Sequence, residues 1–215
     1  MNQGAAAMLT PLESDALTEL VNIGVSRAAA GLRQMVGGEV MLSVPSIEVV
    51  SHKAAAALIG EREGSDLVAV KQDFNGAFAG RALLIFPHAN SLDLVRAVVG
   101  EPLDEAAVRD LEQEALAETG NVILNSCLAT IANMLEQPVQ MSLPEVLHGD
   151  GPALFQLGPE LQDSLVLFLY INFSVRNRRI RGYIAMLMDL PSLAALKVLV
   201  GGFIERVMND DAVGP

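Results

Sequence analysis

The sequence predicts an α+β fold, internally duplicated and pseudo-twofold, with two long helices packed on a largely antiparallel sheet. Three observations carry this prediction. First, DALTELVNIGVS at Asp15 to Ser26 returns as EALAETGNVILN at Glu114 to Asn125, and SVP at Ser43 to Pro45 returns as SLP at Ser142 to Pro144, both with an offset of 99 residues. A repeat held over that distance is an internal duplication. Second, both helical stretches are amphipathic at a period of 3.6. Third, stretches of period two follow each of them. Chain length suits two half-repeats, about 10–100 and 109–208, sharing one core within a single domain spanning residues 1–215.

Thr10, Pro11 and Glu13 predict the start of the first helix, with Thr at the N-cap, Pro at the first helical position and Glu completing a capping box. Val36 followed by Gly37 and Gly38 predicts its end. Glu39 to Val50 alternates as a strand, bent at Pro45. Lys53 to Glu61 is a short helix or turn. Leu67–Phe74 and Gly80–Phe86 predict a hairpin turning at Asn75-Gly76, and Ser91 caps a helix ending at Val99-Gly100. In the second half, residues 101–109 form the connection, Asp110 with Gln113 starts the second long helix and Pro138 ends it. Val139 to Leu147 repeats the bent strand, and His148 to Ser164 is a loop. Leu165–Ser174 and Ile180–Met188 form a second hairpin around Arg176 to Arg179, and Ser192 opens a closing helix whose tail frays after Asn209. Each half then has a one-sided sheet, and joining the two sheets under the helices buries both.

Composition narrows the function. Apolar residues make up 51%, with few aromatics and no Trp, so the core is aliphatic. A net charge of −12 argues against a nucleic-acid partner, since phosphate binding rests on clustered Lys and Arg. The most apolar run, Leu165 to Ile171, is far shorter than the roughly 20 residues of a membrane-spanning helix. The first residues do not read as a secretory signal, and the single Cys127 falls on an apolar helix face, so a cytoplasmic, reducing location is expected. His52, His88 and His148 are scattered in sequence without metal-ligand spacing, and no metal site is expected. Gly37-Gly38 and Gly201-Gly202 follow helices and read as stops rather than phosphate cradles.

At 100° per residue, Asp15, Glu19, Asn22 and Ser26 fall within about 60° of one another, opposite Leu17, Leu20, Val21, Gly24, Ala28 and Met35. Glu114, Glu118, Asn121 and Asn125 repeat that stripe opposite Leu116, Ile123, Cys127, Ile131 and Met134. The polar stripes are expected to face outward, with each Glu and Asn side by side on its helix.

ELVNIG at Glu19 to Gly24 and ETGNVIL at Glu118 to Leu124, each followed by an S-x-P strand, resemble the CheC family of phosphatases, which includes CheX and FliY. The resemblance implies hydrolysis of the aspartyl phosphate of a CheY-like response regulator. It implies Asn22 and Asn121 orienting the attacking water, and Glu19 and Glu118 pairing with the regulator's lysine. Mg²⁺ would belong to the regulator and no cofactor to this chain; the deamidase CheD is a further implied partner. Glu114, where the family has Asp or Ser, and Asn125, where a small residue is usual, mark the second site as the lesser. The alternative is a module that binds a regulator or a flagellar switch without hydrolysis.

Overall fold

A computed structural model describes residues 9–99, 104–156, 165–175 and 178–212. The elements in order are α1 (Pro11–Val36), β1 (Val40–Ser43), β2 (Ile47–Ser51), α2 (His52–Glu63), β3 (Leu67–Gly76), β4 (Gly80–Pro87) and α3 (His88–Val99). The second half supplies α4 (Glu105–Met134), β5 (Val139–Met141), β6 (Glu145–Gly149), α5 (Gly151–Leu154), β7 (Leu165–Val175), β8 (Arg178–Met188) and α6 (Leu190–Ala212). The eight strands make one sheet in the order β1-β7-β8-β4-β3-β5, with β2 also on β7 and β6 also on β3. All pairings are antiparallel.

The halves exchange strands. β1 and β2 of the first half lie on β7 of the second, and β5 and β6 of the second lie on β3 of the first. The duplication survives at the level of register: Val40 pairs with Val175, and Val139 with Gly76, so each member is displaced by 99 residues. Likewise Ile47 pairs with Leu169 and Val146 with Val70. β4 and β8 meet at the centre of this pseudo-twofold arrangement.

One face of the sheet carries α1, α3, α4 and α6 over a large aliphatic cluster that includes Leu20, Leu32, Leu84, Leu94, Leu124, Leu128, Leu169 and Leu196. The expected one-sided sheet is corrected on the other face. There Ala55 and Ile59 of α2, with Leu154 and Phe155 around α5, cover Leu67, Ala69, Leu83, Ile85, Val166 and Phe168. Strands buried on both sides need no polar alternation, which is why Leu165 to Ile171 is continuously apolar. Each such leucine contributes about 1.5–3 kcal/mol through burial.

The predicted capping box of α1 is present, with Thr10 Oγ1 accepting from Glu13 N and Glu13 Oε2 accepting from Thr10 N. Gly37, at φ 58°, ends the helix. Pro45 splits the first bent strand into β1 and β2, and the second divides likewise at Pro144.

Several boundaries differ from expectation. α4 begins at Glu105, upstream of Asp110, because buried Val108 extends its apolar face. It ends before Pro138 in a Schellman motif: Gln137 N donates to Ala132 O and Glu136 N to Asn133 O, with Glu136 at φ 57°. Asn75-Gly76 is not the hairpin turn. Both residues stay in β3 and pair with β5, and a Cβ on Gly76 would lie 2.3 Å from Pro138 O. The chain turns instead over residues 77–79, where Phe78 inserts beside Phe74 in an edge-to-face contact.

Ser91 is buried inside α3, which starts at His88, and is not its cap; Gly100 lies outside the described residues. His148 belongs to β6, and the loop expected after it contains α5. Arg178 and Arg179 belong to β8, while Arg176 and Asn177 are outside the described residues. α6 starts at Leu190, with Asp189 Oδ1 accepting from Ser192 N, runs through Gly201-Gly202 rather than stopping before them, and continues to Ala212.

Candidate active site on the two long helices

α1 and α4 cross closely because Gly24 has no side chain: a Cβ there would sit 2.7 Å from Cys127 Cα. Arg27 Nη1 donates to Thr130 Oγ1 across the same contact at 3.2 Å. Leu17, Leu20, Val21, Gly24 and Ala28 are buried as their helical phase requires, and so are Leu116, Ile123, Cys127 and Ile131. Asp15, Glu19, Ser26, Glu114 and Glu118 are exposed.

The two asparagines depart from the expected outward stripe. Both are half-buried, and each amide is turned toward an S-x-P bend. Asn22 Nδ2 donates to Val44 O at 2.8 Å, and Val44 N donates to Asn22 Oδ1 at 2.8 Å. The cause lies in Pro45: β1 stops at Ser43 and β2 resumes at Ile47, leaving the backbone of buried Val44 without a strand partner. A carboxamide supplies the missing donor and acceptor together. One lone pair on Oδ1 and one N–H on Nδ2 remain for a ligand. Beside them a shallow open depression of about 420 Å³ is lined by Glu19, Asn22, Ile23, Ser26, Arg27 and Ala30.

The second pair is built differently. Asn121 Oδ1 accepts from Gln72 Nε2 at 3.2 Å and from Asn125 Nδ2 at 2.7 Å. Gln72, fully buried in β3, also donates to Ser142 O at 2.9 Å, so it stands between the asparagine and the bend. Ser142 is latched to Asp73 by two backbone-directed hydrogen bonds, and Leu143 is 85% exposed where its counterpart Val44 is 1% exposed. Gln72 Oε1 and Asn125 Oδ1 are buried with no hydrogen-bond partner among the described residues.

Sequence reasoning missed Arg27, Gln72 and the bend at Val44. Helical phase sets Arg27 about 80° from Glu19, on the edge of the stripe, but no spacing signals a contact between β3 and α4. The scattered histidines also need correction: His88 and His148 come together with Glu112, their ligand atoms all within 4.8 Å of one another. Cys127 is no nucleophile; burial pushes its thiol up to about 12. A larger concavity of about 480 Å³, lined by residues that include Met41, Tyr170, Arg179 and Arg181, shares no residue with either stripe. Among the described residues, no helix is long and apolar enough to cross a membrane.

A duplicated α+β domain with a Glu-x-x-Asn pair on each long helix, each asparagine facing an S-x-P bend, is the class defined here. The family model "Chemotaxis phosphatase CheX" matches residues 68–158, from β3 through α5, a span that includes Glu118 and Asn121 but not Glu19 and Asn22. CheY-P phosphatase CheC of Bacillus subtilis is 23% identical over 199 residues, covering 88% of this chain and 94% of that protein. The crystal structure of Thermotoga maritima FliY superposes with a TM-score of 0.70 at 18% identity, over 92% of this chain and 98% of that one. A chain of the Borrelia burgdorferi CheX–CheY–BeF₃–Mg²⁺ complex superposes at 0.53 and 15% identity, over 80% and 99%. These likenesses all fall within the CheC/CheX/FliY group, to which the chain is similar.

Proposed function

We propose that this protein hydrolyses the aspartyl phosphate of a CheY-like response regulator, with Asn22 and Asn121 orienting water and Glu19 and Glu118 engaging the regulator's lysine. The observation that carries the reading is the Asn22 amide, locked by two hydrogen bonds to Val44 beside an exposed glutamate and an open depression. A nucleophilic water must be held by a hydrogen bond while it keeps a lone pair aimed at phosphorus. The spare lone pair of Asn22 Oδ1 accepts that hydrogen bond without taking the proton, and the amide's fixed orientation supplies the alignment that in-line attack requires. Glu19, one turn earlier, offers a carboxylate to an approaching ammonium. Arg27, on the rim of the same depression, offers a guanidinium to phosphoryl oxygens. Mg²⁺ on the regulator would neutralise charge on the phosphoryl group, leaving this chain to position water and partner.

The two sites are unequal in this mechanism. Asn121 Oδ1 already accepts two hydrogen bonds, so it has no lone pair left for water until Gln72 or Asn125 releases it. The first site therefore carries more of the activity. CheD as a second partner and a cytoplasmic location belong to the same proposal; co-elution with CheD on gel filtration tests the former. The central test is phosphate release from a Mg²⁺-bound phosphorylated regulator with and without the protein. Acceleration lost in the Asn22→Ala, Asn121→Ala double variant supports the reading. An unaccelerated rate with intact binding identifies a docking module instead.

A further inference from the structure

We propose that His88, Glu112 and His148 form a binding site for a transition-metal dication, best suited to Zn²⁺. The three residues come from three elements: His88 opens α3, Glu112 lies on α4 and His148 lies on β6, paired with Val68 of β3. Strand exchange between the halves is what brings His148 to the other two.

Each ligand is prepared for a cation. His88 Nδ1 stands 3.3 Å from Asp66 Oδ2, and its backbone N–H donates to Asp66 O at 3.0 Å. A carboxylate on one ring nitrogen holds the proton there and turns the other nitrogen's lone pair toward a metal, the outer-shell arrangement common to histidine ligands. That other nitrogen, Nε2, is buried with no hydrogen-bond partner among the described residues, 3.2 Å from Glu112 Oε1. In the tautomer with the proton on Nδ1, a lone pair faces a carboxylate oxygen at this distance, and a cation between them converts that repulsion into two bonds.

Glu112 is only 7% exposed, and Ser91 Oγ, whose one proton is shared between His88 O at 2.8 Å and Glu112 Oε1 at 3.1 Å, lies against the carboxylate. Burying a carboxylate is costly unless a positive charge compensates it. His148 is exposed and meets His88 edge to face, ring centroids 5.7 Å apart, closing the cluster from the solvent side.

The spacing fits the ion. Two ligands about 2.1 Å from a tetrahedral centre lie about 3.4 Å apart, close to the 3.2 Å between His88 and Glu112. Rotation of the exposed His148 side chain closes the remaining separation. Two imidazoles and one carboxylate favour Zn²⁺ over Mg²⁺ or Ca²⁺, which prefer oxygen ligands, and three protein ligands leave a fourth coordination position for water. This site is therefore distinct from the regulator's Mg²⁺ and does not rest on the phosphatase reading. Its position gives it a structural effect, because the ion would clamp α4 to α3 and β6 six residues before Glu118.

The test is calorimetric titration of the chelator-treated full chain with ZnCl₂, and separately with MgCl₂, alongside thermal melts. One Zn²⁺ per chain with micromolar or tighter affinity and a raised melting temperature is expected, with no saturable Mg²⁺ binding. His148→Ala, at an exposed position that spares the fold, should weaken Zn²⁺ binding at least tenfold, as should Glu112→Gln. Asp66→Asn should weaken it about tenfold through the outer shell, and His52→Ala should leave it unchanged. Absence of saturable Zn²⁺ binding would overturn the proposal, leaving His88 in contact with Asp66 and Glu112 with no metal between them. Unchanged affinity in folded His148→Ala would overturn it equally.

Discussion

Replacing Asn22 with alanine tests the clamp on the S-V-P bend directly. The amide makes two hydrogen bonds, and both partners are backbone atoms of Val44, which is almost wholly buried. Truncation leaves a donor and an acceptor unpaired, each costing about 1–3 kcal/mol if water cannot reach it. The open depression beside the site admits some water, so the net loss should be about 2 kcal/mol. For a chain of this size that corresponds to a fall in melting temperature of about 4–8 °C. Asn121→Ala removes one acceptor, but Gln72 keeps its bond to Ser142 O, so about 1 kcal/mol and half the fall in melting temperature are expected. Asn22→Asp is a sharper probe: it keeps the shape and the bond from Val44 N, yet sets a second carboxylate oxygen against Val44 O at the present 2.8 Å. It should be at least as destabilising as alanine. Calorimetric or fluorescence-detected melts of the three variants at neutral pH decide the matter. Wild-type stability in Asn22→Ala, or a larger loss in Asn121→Ala, would refute the clamp.

Steady-state phosphate release should fall at least tenfold in Asn22→Ala, about 1.4 kcal/mol of transition-state stabilisation, and less in Asn121→Ala, with only the double variant inactive; full activity in the double variant would rule out water positioning. Glu19→Ala and Glu118→Ala should weaken binding of a regulator locked in its phosphorylated form, measured by titration, while the asparagine variants bind nearly normally. Gly24→Ala should destabilise the fold by about 1–3 kcal/mol in urea titrations, since its Cβ meets the backbone of α4. Cys127 should resist thiol reagents in the native state. Because burial raises its folded-state value from an ordinary 9 to about 12, its contribution to stability is complete below pH 9 and is lost between pH 9 and 12; equal melting temperatures for wild type and Cys127→Ala, relative to neutral pH, across that window would contradict this.

Legibility in the sequence followed the range of the interaction. Thr10, Glu13 and Gly37 announced both ends of α1 because caps are local chemistry, and Pro45 announced the bend because it removes a ladder donor. Asp110 and Gln113 imitated a cap inside the second turn of α4, where the apolar face of the helix overrode them. Asn75-Gly76 carried a turn signature, but pairing with β5 kept both residues extended and moved the turn to Phe78. Glu19 and Glu118 could be placed on exposed faces from helical phase alone. The amide contacts could not, since Asn22 to Val44 and Asn121 to Gln72 depend on where the exchanged strands lie. The same exchange hid the approach of His148 to His88 and Glu112.

The two halves share their backbone registers to the residue, so the inequality of their sites must arise from side chains. The position that is Gln72 in β3 is Ile171 in β7, and both are buried. An isoleucine offers nothing to a bend, so in the first half the unpaired backbone of Val44 reaches Asn22 directly and Val44 itself turns into the core. A glutamine is long enough to reach Ser142 O from within the sheet, and once it does so it must also find a partner for its second N–H. Asn121 is that partner. The bend is then held through Ser142 instead, and Leu143 is left facing solvent. A buried amide in one strand thus converts a direct clamp into a relay. The relay occupies the oxygen that the mechanism would need and leaves Gln72 Oε1 and Asn125 Oδ1 with no partner among the described residues. One duplicated backbone therefore carries a pre-aligned amide on α1 and a saturated one on α4, and the difference traces to two paired positions, Gln72 against Ile171 and Asn125 against Ser26.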